Sequence, residues 1–158
     1  MNNDTIYVTS ASDHTVVMFV PELSLSKTWT KRGQRYPFSR EQLIQAYYNA
    51  SVEYLFKEGL LTTTDTEFLK NVGLMEEDGS TDLVTLTDEL ENRIIKLMPL
   101  IDVKKNLEKL TRTQLNELAE YAISHYQDLK MDRIDLLSKA TGKNILRAIE
   151  NYKAAQED

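Results

Sequence analysis

The chain has 158 residues, 19 Lys/Arg against 25 Asp/Glu, a formal charge of -6 at pH 7 and no cysteine. A chain of that length suits one ordinary domain, or one with a small appendage, and buries roughly 70% of its extended surface without a covalent staple. The missing thiols exclude disulfides, thiolate nucleophiles and thiolate metal sites together, no apolar run approaches the ~20 residues of a membrane span, and Met1-Asn2-Asn3-Asp4 lacks a signal peptide's basic start. A soluble protein made inside the cell is expected.

Charge is unevenly placed. Residues 1–38 hold four Lys/Arg and three acids, residues 39–100 five against twelve, and residues 101–158 ten and ten. Met75 to Asn92 contains seven acids and no base, so a basic stretch and an acidic one share the chain.

In chain order, Thr5 to Thr9 and Thr15 to Val20 are rich in β-branched and aromatic residues and are separated by Ser10-Ala11-Ser12-Asp13, a turn composition. From Leu23 the residues alternate. Leu23, Leu25, Lys27 and Trp29 share one face, and Ser24, Ser26, Thr28 and Thr30 the other. Gly33 permits a reversal, and Gln34 to Phe38 form a short returning strand limited by Pro37. Residues 1–38 therefore read as a small antiparallel β-meander.

Ser39-Arg40-Glu41-Gln42 is a capping-box pattern that opens a helix, with Leu43, Ala46 and Tyr47 inward. A second helix carries Val52, Leu55 and Phe56 and stops at Gly59. A third is capped by Thr64 or Asp65, buries Phe68, Leu69 and Val72, and ends at Gly73. Asp78-Gly79-Ser80 is a turn, and Leu83 to Leu86 read as a strand. After Thr87 the pattern is helical: Leu90, Ile94, Leu97 and Met98 form a stripe broken by Pro99, and Val103, Leu107 and Leu110 continue it. Thr111-Arg112-Thr113-Gln114 is a second capping box, and two more helices follow around Ile134 and Ile149, with a frayed tail from Ala154. The fold class is α+β: the β-meander (1–38), a mixed middle part (39–100) and a helical C-terminal part (101–158), together one compact unit.

Reactive constellations are not found. His14 and His125 fall in different segments with no acid or nucleophile at a useful spacing. Ala140-Thr141-Gly142-Lys143-Asn144 lacks the earlier glycine and following hydroxyl of a phosphate loop, so Gly142 reads as a helix C-cap. The acidic run Glu76 to Asp82 has Leu74 where a calcium loop needs its first ligand. No cofactor and no catalytic activity are expected.

What remains is "SKTWTKRGQRYPFSR", Ser26 to Arg40, with five basic residues and three aromatics in fifteen positions. Lys and Arg displace counterions from phosphates and aromatics stack on bases, but the alternation turns Trp29 toward the core. The charges then gather at the tip of the turn, Lys31-Arg32-Gly33. Lys27, Lys31, Arg32, Arg35, Tyr36 and Arg40 on one side, and Glu76, Glu77, Asp78 and Asp82 on the other, are the candidate partner contacts. Opposite charges on separate surfaces suit head-to-tail association between copies or neighbours.

"KTWTKRGQRYPFSREQLIQAYYNASVEYLFKEGLL" (27–61) and "LSKATGKNI" (137–145) resemble uncharacterised virion-associated proteins of tailed bacteriophages. The resemblance implies a non-enzymatic structural or adaptor role in a virion, made in the host cytoplasm, with other virion proteins and copies of the chain as partners. The spacing of Leu110 to Ala140 is also similar to the helix–extended loop–helix of SAP-like and Rho-N-like modules, some of which bind nucleic acid. A nucleic-acid-binding regulator, or a small acidic inhibitor of a host protein using Met75 to Asn92, are the alternatives; no membrane partner is expected.

Overall fold

Alternating β-branched and aromatic residues give the N-terminal segments a pleated form with one buried face. In the computed structural model, which describes residues 4–157, they are β1 (Thr5–Ser10), β2 (Val16–Val20), β3 (Leu25–Trp29) and β4 (Arg35–Ser39), with a two-residue β5 (Leu61–Thr62) later in the chain. All pairings are antiparallel. β1 lies between β4, with Thr5 opposite Ser39 and Thr9 opposite Arg35, and β5, with Thr9 opposite Thr62. β2 and β3 form a separate two-stranded sheet, with Val16 opposite Trp29, joined by a short 3-10 turn at Pro21–Leu23.

The pairing thus departs from a sequential meander. The β2–β3 hairpin is inserted between β1 and β4, and the chain crosses from one sheet to the other between Trp29 and Arg35. The reason is that both strand sets own an apolar face. Ile6, Val8 and Phe38 of the first and Val16, Met18, Val20, Leu25 and Trp29 of the second are buried in one core. A Trp29 Nε1–H donates to the Val8 carbonyl at 3.1 Å and ties the two sheets together.

Ser39 ends β4 and caps the next element, its hydroxyl accepting from the Gln42 N–H at 3.1 Å. α1 (Arg40–Tyr47), α2 (Ala50–Lys57) and α3 (Thr66–Asn71) follow. The caps of the last two are Asn49 and Asp65. These helices add Leu43, Ala46, Val52, Leu55, Phe56 and Phe68 to the core of the sheets. The rings of Tyr47, Phe56 and Phe68 meet with centroids 5.5 to 6.1 Å apart. Each fully buried large side chain of this kind stabilises by about 1.5–3 kcal/mol.

The chain divides after Thr85 into two compact units, inside the segment 39–100 that the sequence reading treats as one part. Residues 39 to 72 belong with the strands because they share a hydrophobic core with them. The strand expected at Leu83 to Leu86 is not formed. Side chains take the local backbone bonds instead: the Thr81 hydroxyl donates to the Leu74 carbonyl and accepts from the Leu83 N–H.

The second unit is helical: α4 (Asp88–Asn92), a π-helical turn (Arg93–Leu97), α5 (Leu100–Lys109), α6 (Arg112–Ser124), a 3-10 turn (Tyr126–Asp128), α7 (Met131–Thr141) and α8 (Ile145–Gln156). Thr111 and Gln114 make both bonds of the capping box at the start of α6. Gly142 ends α7 in the left-handed conformation at φ 72°. α8 runs to Gln156, into the stretch for which fraying is expected. No helix among the described residues is long and apolar enough to cross a membrane.

Candidate protein-contact surface

The five cations of the quoted stretch have different fates. Arg40, at the first position of α1, meets Asp65 with Nε at 2.8 Å and Nη2 at 2.9 Å, and its Nη1 lies 3.3 Å from both Asp4 and Glu67. The hydrogen bond it donates to Asp65 raises the guanidinium's pKa further above its ordinary value. The same bond, with the Phe68 N–H, holds the Asp65 carboxyl below its usual range against the opposing effect of burial. Arg32 lies 3.6 Å from Asp13, with only 12% of its side chain exposed. These two arginines are structural.

Lys27, Lys31 and Arg35 remain, and none has a carboxylate partner among the described residues. Lys31 is exposed. The Lys27 ammonium sits 5.2 Å from the centre of the Tyr36 ring, and the Arg35 guanidinium 4.5 Å from that of Tyr7. Tyr36 is itself fixed, accepting from Gln34 and donating to the Thr28 carbonyl, both at 2.8 Å. Trp29 is fully buried beside Tyr36 and Phe38, which removes it as a stacking platform for bases.

Three apolar side chains outside the predicted set stand on the outer strand faces: Tyr7, Val17 and Phe19, 47%, 52% and 59% exposed. Strand alternation could have revealed them, since Val16, Met18 and Val20 point inward and leave Val17 and Phe19 outward. Tyr7 and Arg35 also border a groove of about 340 Å³ beside β1, whose other walls include the hydroxyl-bearing Thr5, Thr9, Thr62 and Thr64 together with Asp65. That groove joins residues nearly sixty positions apart and has no local signature.

Glu76, Glu77, Asp78 and Asp82 are all exposed in the loop after α3. The loop is ordered by its own bonds: Glu76 N–H to the Ser80 carbonyl at 2.8 Å, Gly79 N–H to the Glu76 carbonyl at 2.9 Å, and Asp78 accepting from both the Ser80 hydroxyl and N–H. Those Ser80 bonds lower the Asp78 pKa. The acids are therefore held in a fixed, solvent-facing turn.

In the second unit, the ridge around Pro99 exposes Leu97 and Ile101, 69% and 67%. The connection between α6 and α7 contains a 3-10 turn where an extended loop is expected. Comparison with protein-family models, curated proteins and solved structures finds no match.

Proposed function

We propose that this chain is a non-enzymatic structural or adaptor component of a tailed-bacteriophage particle, working through protein–protein contacts made by its N-terminal strands. The observation that carries the contact reading is the exposure of Tyr7, Val17 and Phe19 on the strands, with Arg35 stacked on the Tyr7 ring, and the lack of a carboxylate partner for Lys27, Lys31 and Arg35 among the described residues. Aromatic and arginine side chains are the groups enriched at the anchors of protein interfaces. The resemblance of residues 27–61 and 137–145 to virion-associated proteins supports the particle as the setting. The fixed acidic turn at Glu76 to Asp82 offers the complementary charge for a neighbour or another copy.

Binding of nucleic acid is the weaker reading because Trp29 and Phe38 are buried and Arg32 and Arg40 are held by acids. The test is mass spectrometry of purified particles, with this chain quantified against the major capsid protein. A fixed small copy number supports the proposal. Absence from particles despite strong expression in infected cells overturns it. Lys31→Glu is the clean contact variant, expected to lower incorporation without unfolding the chain, whereas Arg32→Glu would set a carboxylate beside Asp13.

A further inference from the structure

We infer that the open edge of β1 receives an extended segment of a partner protein, and that an acidic side chain of that segment pairs with Arg35. This deepens the contact reading above by naming the form of the partner.

The inference starts from the alternation of ladder bonds. On the β4 side, the Arg40 N–H donates to the Asp4 carbonyl at 2.7 Å and the Ser10 N–H to the Gln34 carbonyl at 2.9 Å. Even-numbered residues of β1 therefore direct their backbone groups to β4, and odd-numbered ones direct theirs to the opposite edge. β5 takes up that edge only at its end, pairing Thr9 with Thr62, and the Ala11 N–H continues to the Leu60 carbonyl. Beyond Thr62 the chain turns away: the Thr63 hydroxyl accepts from the Asp65 N–H, and Asp65 caps α3. Thr5 and Tyr7 are left without a backbone partner among the described residues. An edge of this kind is a template for an added strand.

The groove lies along that edge, and its volume of about 340 Å³ is at the small end of the roughly 300–1,000 Å³ typical of ligand sites. A strand laid in line with β5 would exchange backbone bonds with Tyr7. Its residue opposite Tyr7 would stand on the same face as the Tyr7 ring, because cross-strand partners share a face. Arg35 is stacked on that ring at 4.5 Å and lacks a carboxylate there. Asp65, the acid that borders the groove, is already taken by Arg40. Charge and backbone therefore select together for Asp or Glu at one position, with hydroxyl-tolerant neighbours along the threonine walls.

The first test needs no ligand. In amide hydrogen exchange on the full chain, Ile6 and Val8 are expected to exchange at least 100-fold more slowly than Thr5 and Tyr7. Equal protection at Tyr7 would show that the edge is closed and would overturn the inference. The second uses a displayed library of random linear peptides selected on the full chain. Selected peptides are expected to carry an acid, to shift the Thr5 and Tyr7 amide resonances, and to lose at least tenfold in affinity against a folded Arg35→Gln variant or when N-methylated at the pairing position. Failure to select any peptide, selection without an acid, or mapping to another surface each overturns it. So does protection of Thr5 and Tyr7 that grows with protein concentration alone, which would make the occupant a second copy. Both tests are read on the isolated chain, so their failure is distinct from absence of the chain from particles.

Discussion

Asp65 performs two tasks with one carboxylate, capping α3 through the Phe68 N–H at 2.9 Å and holding Arg40 at 2.8 Å. Its folded pKa lies below its unfolded value of about 3.9, so it contributes stability that is present above that value and lost as pH falls through the folded pKa. Asp65→Asn keeps a capping oxygen but does not titrate. Urea midpoints of the two proteins are expected to differ by a constant amount from pH 7 down to about pH 5, and to converge below about pH 4. A difference that persists unchanged at pH 2.5 would remove the ion pair as its source. Trp29 allows a complementary test of where the aromatic groups of the basic stretch go. Because the indole is fully buried and bonded to Val8, Trp29→Ala is expected to cost about 3–5 kcal/mol in denaturant unfolding followed by circular dichroism. Lys31→Glu, on an exposed turn, should stay within about 0.5 kcal/mol. Comparable costs would contradict the division between core and contact residues. The inward turn of Trp29 was legible from alternation with Leu25. The fate of Arg40 was not, because its partner Asp65 lies 25 positions away and only the fold brings them together.

At the scale of elements, capping signals were the most legible features. Thr111 and Gln114 make both bonds of the predicted box, while at Ser39 the hydroxyl bond to the Gln42 N–H is the one formed, and all of these bonds are local. Strand pairing was less so, because β1 finds β4 across an intervening hairpin and β5 is only two residues long. The interrupted stripe before Pro99 had a visible cause but not a visible solution. The Met98 N–H reaches back five residues to the Arg93 carbonyl at 2.7 Å, forming the π-helical turn. The next bond of that series would need an N–H on Pro99, which has none. The Ile94 carbonyl instead accepts from Arg133 Nη1 of α7 at 2.8 Å. Arg133→Met keeps an apolar stem and removes the donor, leaving a buried-side carbonyl unpaired. The expected loss is about 1–3 kcal/mol in the denaturant midpoint free energy. If Arg133→Met is as stable as the parent, the guanidinium is a surface group and Ile94 does not depend on it.

For the whole molecule, the division after Thr85 sets which changes are felt together. The first unit closes its own core around Trp29, Phe56 and Phe68. The second buries Leu118, Leu137, Ile145 and Ile149 on its own helices. Nothing in the sequence marks the boundary, because Thr81 to Thr87 has neither the glycine and proline content of a linker nor a break in hydropathy. Stability should nonetheless be regional, with each core setting the opening free energy of its own amides. Leu118→Ala removes a fully buried side chain from α6 and is expected to cost about 2–5 kcal/mol in the second unit. In amide exchange under native conditions, protection should fall across α6 to α8 while β1, β2 and α2 keep theirs. Phe56→Ala should give the converse pattern. A loss shared equally by both sets of amides from either substitution would mean that the two cores unfold as one, and that a contact made by the strands is felt throughout the helical unit.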